Sequence, residues 1–266
     1  MSDEEAGPSG RQEVPGTASF SRFMRVLQAV SDSEAPLTTA RLAILVGLPR
    51  PTVYRIVAAL KAEGMLTEEA QTGAWLLGPR LVSLAARSWD RSDLRKAAQI
   101  PLAQLRDQLD ETIHLAIRSG DEMVYIDKIE SNRTVRMMSR VGTCVPLHSS
   151  SVGKAWLASL DDVEMRAILA QLPLRPRTKH TLTTREAVAA EIAATRERGY
   201  SLDLQENEED ICCYGRAIPD QNGRARGCIS VSMPRYRFEE APSGPITQAM
   251  EQCVRAIAQQ MISMDG

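Results

Sequence analysis

Aromatic residues are scarce in this 266-residue chain, with 3 Trp, 5 Tyr and 3 Phe, so a pocket built from it has few rings on which a planar ligand would stack. No run of about 18 apolar residues occurs, and the N-terminus lacks the basic-then-apolar order of a signal peptide. These absences point away from membrane and export, and a cytoplasmic location is expected. Cysteine is sparse too: Cys144, Cys212, Cys213, Cys228 and Cys253 are odd in number, confined to the second half and without a CxxC pair. That distribution excludes a disulfide framework and predicts free thiols in a reducing compartment. Charge of one sign is not in excess, since 32 Lys+Arg face 34 Asp+Glu for a net charge of -2. A polycation that coats nucleic acid is therefore excluded, and any basic patch has to be local. What remains is ordinary, at 43% hydrophobic and 25% charged residues, which suits a globular chain long enough for two domains.

Along the chain, residues 1–18 hold four acids, one Arg, two Pro and three Gly with little to bury, the composition of a disordered arm. Residues 19–78 differ. Phe23, Val26, Leu27 and Val30 share one helical face with Ser21 as the expected cap, and a second helix, capped by Thr38 or Thr39, runs to a stop at Gly47. A third follows, with Pro51 expected at its first position and Val53, Ile56, Val57 and Leu60 as its apolar stripe. Its other face carries Arg50, Thr52, Tyr54 and Arg55. Helix, Gly-containing turn and helix make a helix-turn-helix, whose second member enters the major groove. From Phe20 to Leu66 six basic residues stand against three acidic ones, a local surplus in a globally acidic chain. Two short strands, Met65–Thr67 and Ala74–Leu77, flank a polar tip and read as a wing, on which Glu68 and Glu69 are out of place beside phosphates.

Residues 79–92 predict a linker helix, with Leu81, Leu84 and Ala85 at helical spacing. Over 93–264 the pattern mixes helices at 94–109, 152–160, 162–172 and 184–198 with strands. Ile113, Leu115 and Ile117 alternate, then Val124, Ile126 and Ile129 alternate after the turn Ser119-Gly120-Asp121. Strands at 200–204, 211–217 and 225–233 follow, the last two joined through Asp220-Gln221-Asn222-Gly223, and an amphipathic helix from Ile246 to Met261 closes the chain. The expected class is an α+β domain with a largely antiparallel sheet.

The chain after the arm resembles the IclR-type bacterial transcription regulators. The resemblance rests on Gly47-Leu48-Pro49-Arg50-Pro51-Thr52-Val53-Tyr54-Arg55, Leu76-Leu77-Gly78, His148-Ser149-Ser150-Ser151-Val152-Gly153-Lys154-Ala155, Arg198-Gly199-Tyr200, the acidic stretch with Glu206, and Ile229-Ser230-Val231-Ser232. Within the family, Glu111-Thr112-Ile113-His114-Leu115, Val124-Tyr125-Ile126-Asp127-Lys128-Ile129 and Arg136-Met137-Met138-Ser139-Arg140 look most like the branch that senses 2-keto-3-deoxygluconate. The resemblance implies a winged head on a pseudo-palindromic double-stranded operator, a GAF-like C-terminal domain that takes a small carboxylate effector, and a homodimer or homotetramer. A repressor of a sugar-acid or small-carboxylate operon is the expected role.

Candidate sites follow from both lines. Arg50, Thr52, Tyr54 and Arg55, with Arg41 from the preceding helix, are expected at DNA; the plain alternative is a solvated helix face, and for Tyr54 packing between domains. At His148–Lys154, three Ser and a Gly open a helix whose first N–H groups would receive an anion, where Ser149 or Ser150 otherwise merely caps the helix. By resemblance the effector pocket carries over to Met137, Val145, Ser151, Val152, Asp203, Ile211, Cys213, Ser230 and Ser232. Asp203 is then expected to bond ligand hydroxyls, and Glu206 to orient the pocket or close it, while Glu208 and Glu209 are solvated. A thiol nucleophile from Cys213 with His148 lacks an orienting third residue and an oxyanion signature. Zinc on Cys144, His148, Cys212 and Cys213 lacks a structural-zinc spacing. No enzyme activity, cofactor or metal is expected; the rival reading is a small-molecule enzyme or sensor module whose winged head contacts protein.

Overall fold

The computed structural model describes residues 16–135 and 137–265. Most of the arm expected over 1–18 therefore lies outside the described residues, as does Arg136. The chain forms two compact units, one ending at Ser92 and one beginning at Asp93.

In the first unit, α1 (Ala18–Asp32), α2 (Thr39–Leu45) and α3 (Arg50–Ala62) precede β1 (Leu66–Glu68) and β2 (Trp75–Leu77), and α4 (Pro79–Asp90) follows. Helix α1 starts earlier than Ser21, with Thr17 at its N-cap; the Ser21 hydroxyl donates back to the Thr17 carbonyl at 3.3 Å instead of capping. Pro51 is the second residue of α3, not the first, because Pro49 occupies the cap position. The chain bends by 114° between α2 and α3, with Gly47 at φ +64° in the turn, a left-handed conformation open to glycine without strain. Val26, Leu27, Val30, Leu42, Val53, Ile56, Val57 and Leu60 form one core with Trp75, each large side chain contributing about 1.5–3 kcal/mol by burial. Leu37 bridges to Trp75, and the indole N–H donates to the Thr39 hydroxyl at 2.9 Å, so Leu37 and the first residue of α2 tie down the wing.

The second unit holds α5 (Asp93–Leu109), β3 (Thr112–Ser119), β4 (Glu122–Ile129), β5 (Cys144–Pro146), α6 (Ser151–Ala158), α7 (Asp162–Gln171), α8 (Arg185–Arg198), β6 (Ser201–Leu204), β7 (Ile211–Pro219), β8 (Ala225–Pro234), α9 (Arg235–Glu240) and α10 (Ser243–Asp265). One antiparallel sheet runs β5-β4-β3-β8-β7-β6. Strand alternation gives it two unlike faces. Ile113, Leu115, Ile229, Val231 and Tyr214 join the core with α5 and α10. Ala116, Met123, Tyr125, Val145 and Cys228 pack with Val152, Ala155, Trp156 and Leu157 of α6 on the other side. Strand β5 and helix α9 were not expected: β5 is three residues ending in Pro146, too short to alternate, and α9 buries none of its residues.

Helix α6 lies unusually close to its neighbours. A Cβ on Gly215 of β7 would meet the Ser151 carbonyl oxygen at 2.5 Å, and one on Gly153 would meet the Leu147 backbone at 2.5 Å. The Ser201 hydroxyl donates to that same Ser151 carbonyl at 2.6 Å. Backbone cannot yield as a flexible side chain does, so Gly215→Ala is expected to destabilise the second unit by about 1–3 kcal/mol through overpacking, measured by urea denaturation. Unchanged stability would show that α6 is free to move off the sheet.

Candidate functional site

The exposed side of α3 carries Arg50, Tyr54 and Arg55, and Arg41 is exposed on α2, whereas Thr52 is half-buried. Tyr54 is 67% exposed. The acidic wing has a local explanation: Lys61 of α3 donates to Glu68 at 2.7 Å and Thr72 bonds Glu69. Glu68 is thus offset by a cation before any phosphate comes near.

In the second unit the face beneath α6 is polar in a row. Strand register sets Asp203 opposite Cys213, Cys213 opposite Ser232 and Ser232 opposite Thr112. His114 joins the row, with Nδ1 at 3.1 Å from the Ser230 hydroxyl and 3.3 Å from that of Ser232, and Nε2 at 2.7 Å from the Ser139 hydroxyl. Its ring stacks on Tyr125 at 4.3 Å. Burial, then the charge of Lys128, pushes His114 down to about 3, so the imidazole is neutral and uses one nitrogen as donor and one as acceptor. Lys128 in turn donates to the carbonyls of Met137 at 2.8 Å and Ser139 at 2.7 Å, which holds the β4–β5 connection in place.

Above the row stands the first turn of α6. Ser150 caps it, accepting from Gly153 N at 3.1 Å, and the buried Ser149 hydroxyl has no hydrogen-bond partner among the described residues. Deeper in α6, Lys154 is fully buried and pairs with Glu206, whose other oxygen has no hydrogen-bond partner among the described residues. Burial raises the Glu206 pKa even against the pull of Lys154. Asp203 is driven up to about 7, first by burial, with Lys154 opposing and Glu206 adding to the rise. Its Oδ1 accepts the N–H groups of Glu206 at 2.7 Å and Asn207 at 3.3 Å. The loop bearing Glu206 is bounded by left-handed Gln205 and Asp210, at φ 65° and 60°.

The structure thus brings Asp203, Cys213, Ser230 and Ser232 together. Val145 and Val152 share a core cluster on that side, and Ser151 opens α6. Ile211 is half-buried two residues before Cys213, and Met137 is held through its carbonyl. His114, Tyr125, Ser139 and Lys154 were missed as site residues. A signal for His114 existed: it falls between Ile113 and Leu115, so a strand that buries those two turns it to the opposite face, in phase with Ser230 and Ser232.

A nucleophilic reading finds no support in the geometry. Burial, followed by the charge of Asp203, holds the Cys213 thiol well above its ordinary value, and His148 Nε2 lies 3.1 Å from the Arg175 carbonyl. Cys212 and Cys253 are pushed up to about 11 and about 12, and Cys228 is raised too, in each case chiefly by burial; Cys144 alone of the five is exposed. Among the described residues no three His, Cys, Asp or Glu side chains cluster to hold a metal, and no single described helix is long and apolar enough to cross a membrane. Clefts of about 420 and 360 Å³ open elsewhere in this unit, beside Arg216 and Glu251 and beside Trp156 and Arg224. Neither includes the polar row, which is identified by its buried hydrogen-bonding groups.

A winged head joined to an α+β unit with a buried polar site defines a ligand-responsive DNA-binding regulator. Residues 19–70 match the IclR helix-turn-helix domain, and residues 86–259 match the bacterial transcriptional regulator IclR C-terminal domain. The chain belongs to the IclR family of bacterial transcriptional regulators and is not an enzyme. It is similar to the HTH-type transcriptional regulator KdgR of Escherichia coli (strain K12), at 32% identity over 250 residues, 94% of this chain and 95% of that one. Among solved structures, the Thermotoga maritima IclR superposes with a TM-score of 0.73 at 26% identity, covering 91% of this chain and 98% of that one. An IclR homolog of Microbacterium hydrocarbonoxydans complexed with 4-hydroxybenzoate superposes at 0.78 and 23% identity, covering 92% and 100%.

The raised pKa of Asp203 sets a stability slope. A carboxyl whose folded pKa exceeds its unfolded value favours the folded chain below the unfolded pKa and loses that advantage as pH rises from 3.8 toward about 7. Asp203→Asn keeps the acceptor for the two backbone N–H groups and removes the charge. It is expected to flatten the slope and to gain stability relative to wild type at pH 8, by about 4 kcal/mol at most, read from urea midpoints at pH 5 and 8. Parallel pH profiles for the two chains would refute the assignment.

Proposed function

We propose that the chain is a repressor of a sugar-acid or small-carboxylate operon, relieved by a small 2-keto or sugar-acid effector that binds beneath the first turn of α6. The observation that carries this is the buried polar row of Asp203, Cys213, Ser230 and Ser232 beneath a helix start whose buried Ser149 hydroxyl has no partner among the described residues. Helix-start N–H groups receive the carboxylate, Ser151 flanks it, and Asp203 with the two serines takes the hydroxyl or keto oxygens. Met137, Val145, Val152 and Ile211 supply apolar wall. KdgR's name and the resemblance of the β3 and β4 segments support 2-keto-3-deoxygluconate as the first effector to test.

In this reading residues 19–78 are the DNA-reading head, 79–92 the linker helix and 93–264 the effector domain. Arg50, Tyr54, Arg55 and Thr52 of α3 enter the major groove, with Arg41 at the phosphates. Helix α4, on which Val82 is 71% and Leu84 49% exposed, pairs with its counterpart in a homodimer or homotetramer, so the operator is pseudo-palindromic. The place of action is the cytoplasm, where the DNA lies.

Arg55→Ala is expected to weaken operator binding by about 1–3 kcal/mol and to relax preference at one base pair, measured by gel shift on the chain's own upstream DNA over a salt series. Wild-type affinity in both Arg50→Ala and Arg55→Ala would refute the placement of α3. On the effector side, calorimetry with 2-keto-3-deoxygluconate, pyruvate and 4-hydroxybenzoate is expected to favour the aliphatic acids, and tight binding of the aromatic acid alone would overturn the pocket chemistry.

A further inference from the structure

The interior beside α6 contains one cation and two carboxylates. Lys154 is fully buried, and Asp203 and Glu206 are 3% and 6% exposed. Lys154 is bonded to Glu206, so that pair is neutral as a unit and Asp203 holds the unbalanced charge. The other titratable groups around Asp203 are Cys212 and Cys213 of β7, Tyr125 of β4 and Glu208 of its own loop, with His148 beside Lys154 and, further along the row, His114 of β3, which burial and the charge of Lys128 keep uncharged. Burial keeps both thiols and the phenol protonated and the His148 imidazole uncharged, and Glu208 is exposed to solvent. None of them offsets the charge on Asp203.

A carboxylate effector in the polar row would put a second unbalanced negative charge into this interior. Asp203 Oδ1 is engaged by two backbone N–H groups, while its Oδ2 accepts no hydrogen bond among the described residues. We propose that the effector's carboxylate enters together with one proton, taken from solvent onto Oδ2 of Asp203. One anion and one proton are gained together, so the net charge of the interior is unchanged. The protonated Oδ2 then donates to the effector's keto or hydroxyl oxygen, a hydrogen bond that the ionised carboxylate cannot make. Asp203 thereby selects an acid that carries an oxygen acceptor near its carboxylate, and effector affinity falls as pH rises. This rests on the effector reading given above. Burial has already brought Asp203 to about 7 in the ligand-free chain, so the proton is within reach under neutral conditions.

Calorimetry of the full-length chain with 2-keto-3-deoxygluconate and with pyruvate, in phosphate and in Tris, counts the protons taken up from the difference in buffer heats. Linkage to a group near 7 gives about half a proton per site at pH 7, close to one at about pH 8.5 and close to none at about pH 5.5, with the Kd rising about tenfold per pH unit on the alkaline side. Asp203→Asn is expected to bind without uptake and with a flat pH profile. Carbon-13 NMR of the wild-type Asp203 carboxyl gives a second measurement, its titration moving upward on effector binding. Binding without uptake at pH 8.5, or a carboxyl that titrates below pH 5 in both states, overturns the proposal and leaves the effector reading intact. If neither acid binds at any pH, the effector reading fails and the proposal falls with it.

Discussion

The close seating of α6 on the sheet governs the rest of the second unit. Gly215 removes the side chain that would hold the helix off β7, Gly153 lets the helix pass close to the Leu147 backbone that leads into it, and the Ser201 hydroxyl fastens its first turn. Once α6 is that near, its first turn stands over the polar row. Lys154, one turn in, is sealed in the interior, where an ammonium without a partner would be strongly destabilising. Glu206 meets it there. To bring Glu206 inward the loop bends through left-handed Gln205 and Asp210, each costing about 1–2 kcal/mol relative to ordinary backbone. A strained loop and a buried ion pair thus accompany the close approach that Gly215 permits.

The sheet divides its work by face. On β3 and β8 Ile113, Leu115, Ile229, Val231 and Met233 pack against α5 and α10, while the other face carries Thr112, His114, Ser230 and Ser232 beside the apolar Ala116 and Cys228. The apolar face can be rigid because it has no other role. Its rigidity fixes the spacing of the polar face, where His114 hydrogen-bonds to three serines and stacks on Tyr125. The neutral imidazole matters here, since an imidazolium would leave the row with two donors aimed at hydroxyls and a buried positive charge.

Much of this was legible in the sequence, and the reasons are local. Period-3.6 stripes mark α3 and α10, because each keeps one apolar face inward, and the alternation of Ile113, Leu115 and Ile117 marks β3, because those positions face the apolar layer under α5 and α10. Strand β5 and helix α9 were not legible, being too short or too exposed to carry a pattern. The effector-site residues came from the family resemblance, and the structure adds the groups that resemblance did not supply. Lys154 was visible only as the polar member of a helix-opening motif; its partner in the interior is Glu206, 52 residues further along the chain. Glu68 looked wrong on a wing until Lys61, seven residues earlier, was found beside it.

The cysteines have a practical consequence for anyone handling the protein. Four thiols are enclosed and held protonated well above neutral pH, which makes them slow nucleophiles as well as inaccessible ones. Cys144, on β5 next to Val145, is the exposed fifth. The natural chain therefore has one attachment point for a thiol-reactive fluorophore, one residue from the proposed effector wall, and needs no cysteine to be removed or added before its conformational response is followed by light.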